Sequence, residues 1–538
     1  MLERVIENWL DKASEHSFQK PFCYMLSAEG YTVIHLSRHC GMEMGKDIIA
    51  IAPDGTLCAY QLKGSKSGKI SLNQWRDEIS KQVFDLVVGE IVHPSKESSK
   101  PHRAFLVTNG QLDEEVIRAI DDMNRSWITT GQTQFKLETI VGGQLLNKAK
   151  KLESNLWPSE LADVKTFLEL FLERGERTLP KDRLSSLFEK TFSFELNESG
   201  KPPSKAHCGR ILASAAVLCS IAISSFSNAN NHVAEVEAWT IYISYMLALV
   251  DRWNLPHNIW KNEFEIATKS IYNALSNLCE ELRERSHFVE GDALFDNFFY
   301  RIRLTWLTAL MSIYALWNID GNQHEDESNH FTRKFCLENK PKLLLWGEAA
   351  IPQFLAFFWY YRKIDATPNS DFFLKDIIAT ICHSNKPGGK TPLANPYYNI
   401  DDLFSYLLRI AGDPLEESFE GNAYALEGLV HLFVRRNWKF PIKSLWPDIT
   451  RLSSTVFEQE ETWHFYRWKN AKGIHKRIYP KHTQNWKDLK TLAFESEGKC
   501  IPQSIKKFPI LLLLFLCVYP HRMNSQILRW LDTKLKEI

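Results

Sequence analysis

Hydrophobic periodicity changes character once along this 538-residue chain, near residue 155, and that change limits what the chain can fold into. Before it, short β-rich runs alternate with helix-spaced runs. Helical spacing covers 2–28 and stops at Gly30; Tyr31–Leu36 is strand-like; Asp47–Ala52 and Leu57–Lys63 are two apolar runs joined by Ala-Pro-Asp-Gly-Thr, a hairpin turn signal. Asn73–Val92 returns to helical period, Ala104–Thr108 is a compact buried-strand run, Asp113–Met123 is helical, Phe135–Ile140 is a strand and Gly142–Leu152 a helix. The order α-β-β-β-α-β-α-β-α predicts an α/β domain, a mixed sheet covered by helices.

After residue 155 strand signals fade, and helical patterns recur at 161–173, 207–226, 233–251, 258–283, 292–317, 343–362, 371–383, 401–411, 422–436 and 509–535. No fixed period links them, so a regular solenoid is not expected. The length exceeds what a single core usually serves. The expected division is 1–152 as an α/β domain, 153–330 as a helical domain and 331–538 as a large all-α C-terminal region. Hydrophobic residues at 44% and 17 Trp supply ample material for helical cores.

Charge and cysteine usage exclude several classes. The formal net charge is zero, so a surface for a polyanion must be local. The ten cysteines (23, 40, 58, 208, 219, 279, 336, 382, 500 and 517) form no CxxC pair and read as reduced core thiols. The N-terminal Met-Leu-Glu-Arg-Val-Ile-Glu is charged and amphipathic, unlike a signal peptide. Ile211–Ser224 and Phe508–Tyr519 are strongly apolar but shorter than the roughly 20 residues that span a bilayer. Both are expected as buried helices of a cytoplasmic protein with no membrane partner.

Chemistry concentrates on one hairpin. Asp47 opens its first strand, and Gln61 and Lys63 end its second, sharing a face because side chains alternate with period two. A carboxylate, an amide and an ammonium then meet at one end of the sheet. Asp47 and the backbone carbonyl of Leu62 are oxygen donors suited to a hard divalent cation, while Lys63 can hold an attacking water and balance negative charge. The same residues also fit a plain hairpin end, Asp47 capping a turn and Lys63 guarding a sheet edge.

Taken with their flanks, these residues resemble the Mrr-like branch of the PD-(D/E)xK restriction endonuclease superfamily. The similarity runs through Ser17–Gly30, Gly45-Lys46-Asp47-Ile48-Ile49, Ala59-Tyr60-Gln61-Leu62-Lys63-Gly64 and Ala104-Phe105-Leu106-Val107-Thr108-Asn109, about 130 residues in matching order. It implies a restriction-endonuclease-like fold for 1–152 and Mg²⁺- or Mn²⁺-dependent hydrolysis of DNA, with RNA as the alternative substrate. Asp47, Gln61 and Lys63 become the implied catalytic residues. The family's first helix places a metal-binding Glu eleven residues before its closing Gly, and here that position is Gln19. Glu15, one turn earlier, and Glu43 are the carboxylates that could compensate. Without compensation, the domain becomes a nucleic-acid-binding scaffold.

The resemblance also implies an anti-phage defence or restriction effector. Its helical region would sense a partner protein or signal, and the chain would form a homo-oligomer, because two strands need two sites.

Two further segments carry cations. Lys66 and Lys69 follow the site in a Gly/Ser loop and could grip a nucleic-acid backbone. Residues 463–490 interleave Trp463, Phe465, Tyr466, Trp468, Tyr479 and Trp486 with Arg467, Lys469, Lys476 and Arg477, and residues 461–490 hold eight Lys/Arg against two Asp/Glu. That composition suits phosphate contacts with base stacking, or a helical core with solvated lysines. Gly388-Gly389-Lys390-Thr391 lacks the Gly that a phosphate-binding loop needs at Ser384. His287, His383 and His431 read as structural.

Overall fold

The computed structural model describes the chain apart from residues 1–5, 8, 12, 37–45, 66–67, 92–100, 152–160, 193–202, 286–293, 322–326, 365–368, 389–392, 398–420, 460, 468–473, 479–484, 496 and 538. It divides into two compact units, one of residues 1–249 and 253–273, the other of 250–252 and 274–538. The expected boundaries at 152/153 and 330/331 do not coincide with this division.

In the first unit, α1 (Glu15–Ala28) leads to β1 (Thr32–Leu36), β2 (Ile48–Ile51) and β3 (Leu57–Lys63). β4 (Lys69–Ile70) precedes a helical segment that starts with Leu72–Gln74, passes through a π turn at Trp75–Ile79 and continues as α2 (Ser80–Val88). Then follow β5 (Arg103–Thr108), β6 (Gln111–Leu112), α3 (Glu114–Thr129), β7 (Leu137–Ile140) and α4 (Gly142–Lys151). The major elements appear in the expected order; the pair β4–β6 is additional.

The main sheet has the order β1-β2-β3-β5-β7. β2 is antiparallel to β1 and β3, whereas β3, β5 and β7 run parallel, so β3 is the central strand where the two halves meet. The hairpin turns as its sequence demands: Gly55 takes φ +84°, and Asp54 Oδ1 accepts from Thr56 N at 2.9 Å.

One face of the sheet buries Ile49, Leu57, Ala59, Ala104 and Leu106 against Val83 and Leu86 of α2 and Val116 and Ile120 of α3. On the other, Tyr60 meets Phe22 of α1 edge-on at 5.4 Å and stacks on Phe105 at 4.9 Å. α1 is buried on its far side too: Tyr24 packs against Trp239 at 5.7 Å and Tyr242 at 6.3 Å, both on the helix His232–Trp253. That helix is long and apolar enough to cross a bilayer, yet 94% of its apolar window is inside the fold. Its hydrophobicity is therefore accounted for by the core it fills.

The second unit is mostly helical but not all-α. Asn422–Ala423, Ser453–Glu458 and Ile474–Ile478 form a three-stranded sheet, the last two strands antiparallel from Ile474↔Glu458 to Ile478↔Ser454. The expectation of an all-α region is corrected here; Thr455-Val456-Phe457 is a β-branched and aromatic run too short for a helix to claim. The apolar run near the C-terminus is also broken, at Pro520, into Pro509–Val518 and Ser525–Glu537. The expected helix 401–411 lies outside the described residues.

Candidate functional site

Pairing of β2 with β3 sets Asp47 beside Gln61. Asp47 N donates to Tyr60 O at 2.9 Å, extending the ladder by one residue, and its side chain turns onto the face Gln61 occupies. Gln61 Nε2 and the Leu62 backbone N each donate to Asp47 Oδ2 at 2.7 Å. Asp47 is 6% exposed and Gln61 4%. Asp47 and Gln61 are therefore not exposed: both are buried, Gln61 on the central strand β3 and Asp47 just ahead of β2.

Lys63, two residues on, lies at the carboxyl end of β3, where Lys63 Nζ is 3.5 Å from Glu15 Oε2, with side chains 16% and 26% exposed. This contact depends on the start of α1 reaching past the end of the strand. Gly64 makes the approach possible, since a Cβ there would stand 2.9 Å from Glu15 N. Gln19 is one turn further along α1, on the same side as Glu15, and 6% exposed.

The amides carry a signal of their own. Gln61 Oε1 and Gln19 Nε2 are buried and have no hydrogen-bond partner among the described residues. A polar atom left so costs about 1–3 kcal/mol, which makes an acceptor such as water the expected complement of the Gln19 N–H and a water or cation that of the Gln61 oxygen. Asp47 Oδ2 already receives the Gln61 amide nitrogen, so the Gln61 oxygen is the atom left to face such a group.

The donors that hydrogen bonding brings together are the Asp47 carboxylate, the Gln61 amide and the Leu62 carbonyl; Glu15 meets Lys63, and Gln19 lies a turn further along α1. No group of three or more His, Cys, Asp or Glu suited to a metal occurs among the described residues. An oxygen-only set with at most two carboxylates fits Mg²⁺ or Mn²⁺, which retain water, better than Zn²⁺. Glu43 and Lys66 lie outside the described residues.

Asn109, quoted above only as the end of a strand, turns out to brace the site. It is 3% exposed, its Oδ1 accepts from Ser65 N at 2.8 Å, and its Nδ2 donates to Leu10 O at 2.7 Å and Ala13 O at 2.9 Å. One side chain thus ties the end of β5 to the chain after Lys63 and to the turn before Glu15. The sequence signal was Thr108-Asn109-Gly110, a strand end running into a turn, but the residues that Asn109 reaches were not legible.

Lys46, next to Asp47, joins a different cluster. Its ammonium is 3.5 Å from Asp85 O, at the C-terminus of α2, and burial lowers its pKa. His102 Nε2 lies 2.8 Å from Leu86 O, and burial likewise holds its pKa down. Neither is placed at Asp47.

The cationic segments fare less well. Lys69 is exposed and 3.8 Å from Asp113. Trp463, Phe465 and Tyr466 are buried at 5%, 1% and 0%; Phe465 stacks on Phe515 at 4.9 Å, and the Arg467 guanidinium covers Trp463 at 5.2 Å. These rings build a core, so the idea that they stack on bases is corrected; their area is worth more against Phe515 than in solvent. Lys469 lies outside the described residues, and Lys476 and Arg477 are placed only as backbone of the strand Ile474–Ile478. His431 is buried beside Arg529 at 3.5 Å, its pKa pushed down to about 3 by burial first and the Arg529 charge second, the structural role expected of it. The nine described cysteines are free thiols, eight of them buried.

Compared against family models, curated proteins and solved structures, the chain matches none.

Proposed function

We propose that the N-terminal α/β layer is a metal-dependent endonuclease domain of the PD-(D/E)xK, Mrr-like kind, acting on DNA, and that the helical remainder regulates it. The observation that carries this reading is the buried Asp47–Gln61 hydrogen bond of 2.7 Å on the central strand, with Lys63 two residues further along. A structural hairpin does not require a buried carboxylate and amide with a lysine two residues on at one strand end; phosphodiester hydrolysis makes use of such a set. Asp47 and the Leu62 carbonyl would hold Mg²⁺ or Mn²⁺, with Glu15 or Gln19 completing the set. Bound there, the ion supplies Lewis-acid polarisation of the phosphate and a more acidic water. Lys63 orients that water and offsets charge building on the phosphate oxygens. Glu15 keeps the Lys63 ammonium at the sheet end.

A second reading rests on Gln19. A neutral amide where a carboxylate would strengthen the site, with Glu15 engaged by Lys63, favours weak metal binding and a nucleic-acid scaffold without hydrolysis. A defence role, a homo-oligomer and a sensed partner or signal belong to the proposal and follow from the resemblance alone; a cytoplasmic location belongs to it on the scattered thiols and the charged N-terminal segment.

The test is cleavage of supercoiled, linear and single-stranded DNA and of RNA by the full chain with Mg²⁺ or Mn²⁺. Metal-dependent cutting by the wild type, lost in both Asp47→Ala and Lys63→Ala, supports the nuclease and names its substrate. Cutting that survives both substitutions removes this site as its source.

A further inference from the structure

α1 is held along two opposite stripes. Glu15 and Phe22, with Gln19 between them, share the stripe that meets Lys63 and Tyr60. Ser17, Lys20, Tyr24 and Ser27, spaced three, four and three residues apart, share the other. Each of these four engages a helix of the first unit that lies outside the sheet layer. Ser17 Oγ donates to Asn228 Oδ1 at 3.0 Å, at the end of the short helix Ser224–Asn228. The Lys20 ammonium lies 5.8 Å from the centre of the Trp239 ring, and its charge acts on Glu235. Tyr24 stacks on Trp239 at 5.7 Å. Ser27 Oγ donates to Glu263 and accepts from Asn262 Nδ2 at 2.5 Å, while Asn262 Oδ1 accepts from Val33 N at 3.1 Å. Hydrogen bonds are directional, so these pins fix the rotation and axial position of α1 more sharply than its apolar contacts do.

The first pin stands next to the site. Ser17 Oγ is also 2.7 Å from Ser14 Oγ, the cap of α1, and Ser14 immediately precedes Glu15. From the opposite side Gly64 closes on the same turn: a Cβ there would stand 2.9 Å from Glu15 N and 3.5 Å from Ser14 C. The cap turn is thus clamped between the end of β3 and Asn228. At 3.5 Å, the pairing of Glu15 with Lys63 is sensitive to any displacement of that turn.

We propose that Ser17 and Asn228 are positioning residues of the site, and that through this pin the helical layer sets where Glu15 stands against Lys63. Asn228 holds the cap turn, the cap turn carries Glu15, and Glu15 holds the Lys63 ammonium. α1 is then the element through which helices of the first unit regulate the site: what displaces the helix Ser224–Asn228 displaces Glu15 with it. Its effect on a cation rests on the reading of Asp47 and Lys63 as a metal site; the mechanical coupling does not.

Peptide-resolved hydrogen exchange of the full chain, with Mn²⁺ titration beside it, tests the proposal. Asn228→Ala trims an exposed side chain, and Ser17→Ala removes the hydroxyl that it receives. Each should speed exchange at residues 62–65 about threefold or more, the factor that loss of one modest hydrogen bond allows. Exchange in α3, which packs on the other face of the sheet, should stay unchanged. Asn228→Asp keeps the acceptor and should restore the wild-type rate. Mn²⁺ affinity should fall about threefold in both alanine variants. The proposal is overturned if exchange at 62–65 matches the wild type in both alanine variants, if it rises equally in α3, or if Asn228→Asp behaves as Asn228→Ala does. It is equally overturned if the wild type and both alanine variants bind Mn²⁺ alike. A folded wild type that binds no Mn²⁺ would remove the cation reading and leave the exchange rates to decide the coupling alone.

Discussion

Asp47, Gln61 and Lys63 could be picked out from residue order alone, because period-two alternation and a Pro-Asp-Gly turn leave little freedom in how a hairpin presents its ends. Their burial could not: it depends on β5 pairing with β3, a contact between segments some 45 residues apart. The same limit hid Asn109, whose three hydrogen bonds reach residues 44 to 99 positions away. Asn109→Ala should cost on the order of 3 kcal/mol, since it removes three hydrogen bonds and leaves the Ser65 N–H and the Ala13 carbonyl without the partner they have here, and chemical denaturation will read that loss. Asn109→Asp, which keeps the acceptor for Ser65 but sets a buried carboxylate oxygen against the Leu10 and Ala13 carbonyls, should cost at least as much. On α1, where the proposed site is short of charge, Gln19→Glu is expected to raise Mn²⁺ affinity by about tenfold, measured by calorimetry. Unchanged or weaker binding would show that Gln19 does not face the cation.

Element boundaries show which local signals outweighed others. The helical pattern of residues 2–28 is interrupted at Ala13–Ser14, and α1 starts afresh with Ser14 as its cap, accepting from Ser17 N at 3.3 Å. Apolar periodicity alone does not reveal such a restart, because the residues on both sides remain buried. The helix expected over 73–92 ends at Val88 and contains a π turn at Trp75–Ile79, where the ring of Trp75 is brought into the core under the sheet. In the second unit, the strand Ser453–Glu458 was obscured by the aromatic-rich sequence that follows it, whose rings serve a core and not a helix face. The arrangement of α1 against β3 makes its own prediction. Gly64→Ala places a methyl 2.9 Å from Glu15 N, backbone that cannot yield without moving α1. Thermal unfolding should shift down by several degrees, for a cost on the order of 1–3 kcal/mol, and the proposed metal-dependent cleavage should fall with it as Glu15 and Lys63 separate. Full activity in Gly64→Ala would refute the role given to this contact.

For the molecule as a whole, pH dependence follows from two buried carboxyls. Glu263, in the first unit, accepts from Ser27 of α1, and burial lifts its pKa to about 7 against that hydrogen bond. Glu348, in the second, is lifted to about 7 by burial, although Tyr424 N, Ala425 N and Asn385 Nδ2 all donate to it. A carboxyl whose folded pKa exceeds its unfolded value of roughly 4.3 binds its proton more tightly when folded. Its stabilising contribution is thus complete below about pH 4.3 and is lost as pH rises through about 7. Asp532 works in the other direction: against burial, the guanidinium groups of Arg436 and Arg362 hold its pKa down to about 2, and its contribution disappears as pH falls toward that value. The melting temperature should therefore rise from pH 8 to roughly pH 5 and decline again in stronger acid. Glu263→Gln should flatten part of the first limb and stabilise the protein at pH 8 by on the order of 3 kcal/mol. A melting temperature that climbs steadily from pH 5 to 8 would contradict this assignment.

The central claim, that Asp47 anchors a divalent cation, is tested most directly by Mn²⁺ titration of the full chain without nucleic acid, because that reading needs neither the right substrate nor an activating signal. The account predicts saturable Mn²⁺ binding to the wild type that disappears in Asp47→Ala, with both proteins melting as folded species. Equal binding by the two, or none by a folded wild type at millimolar Mn²⁺, would contradict it.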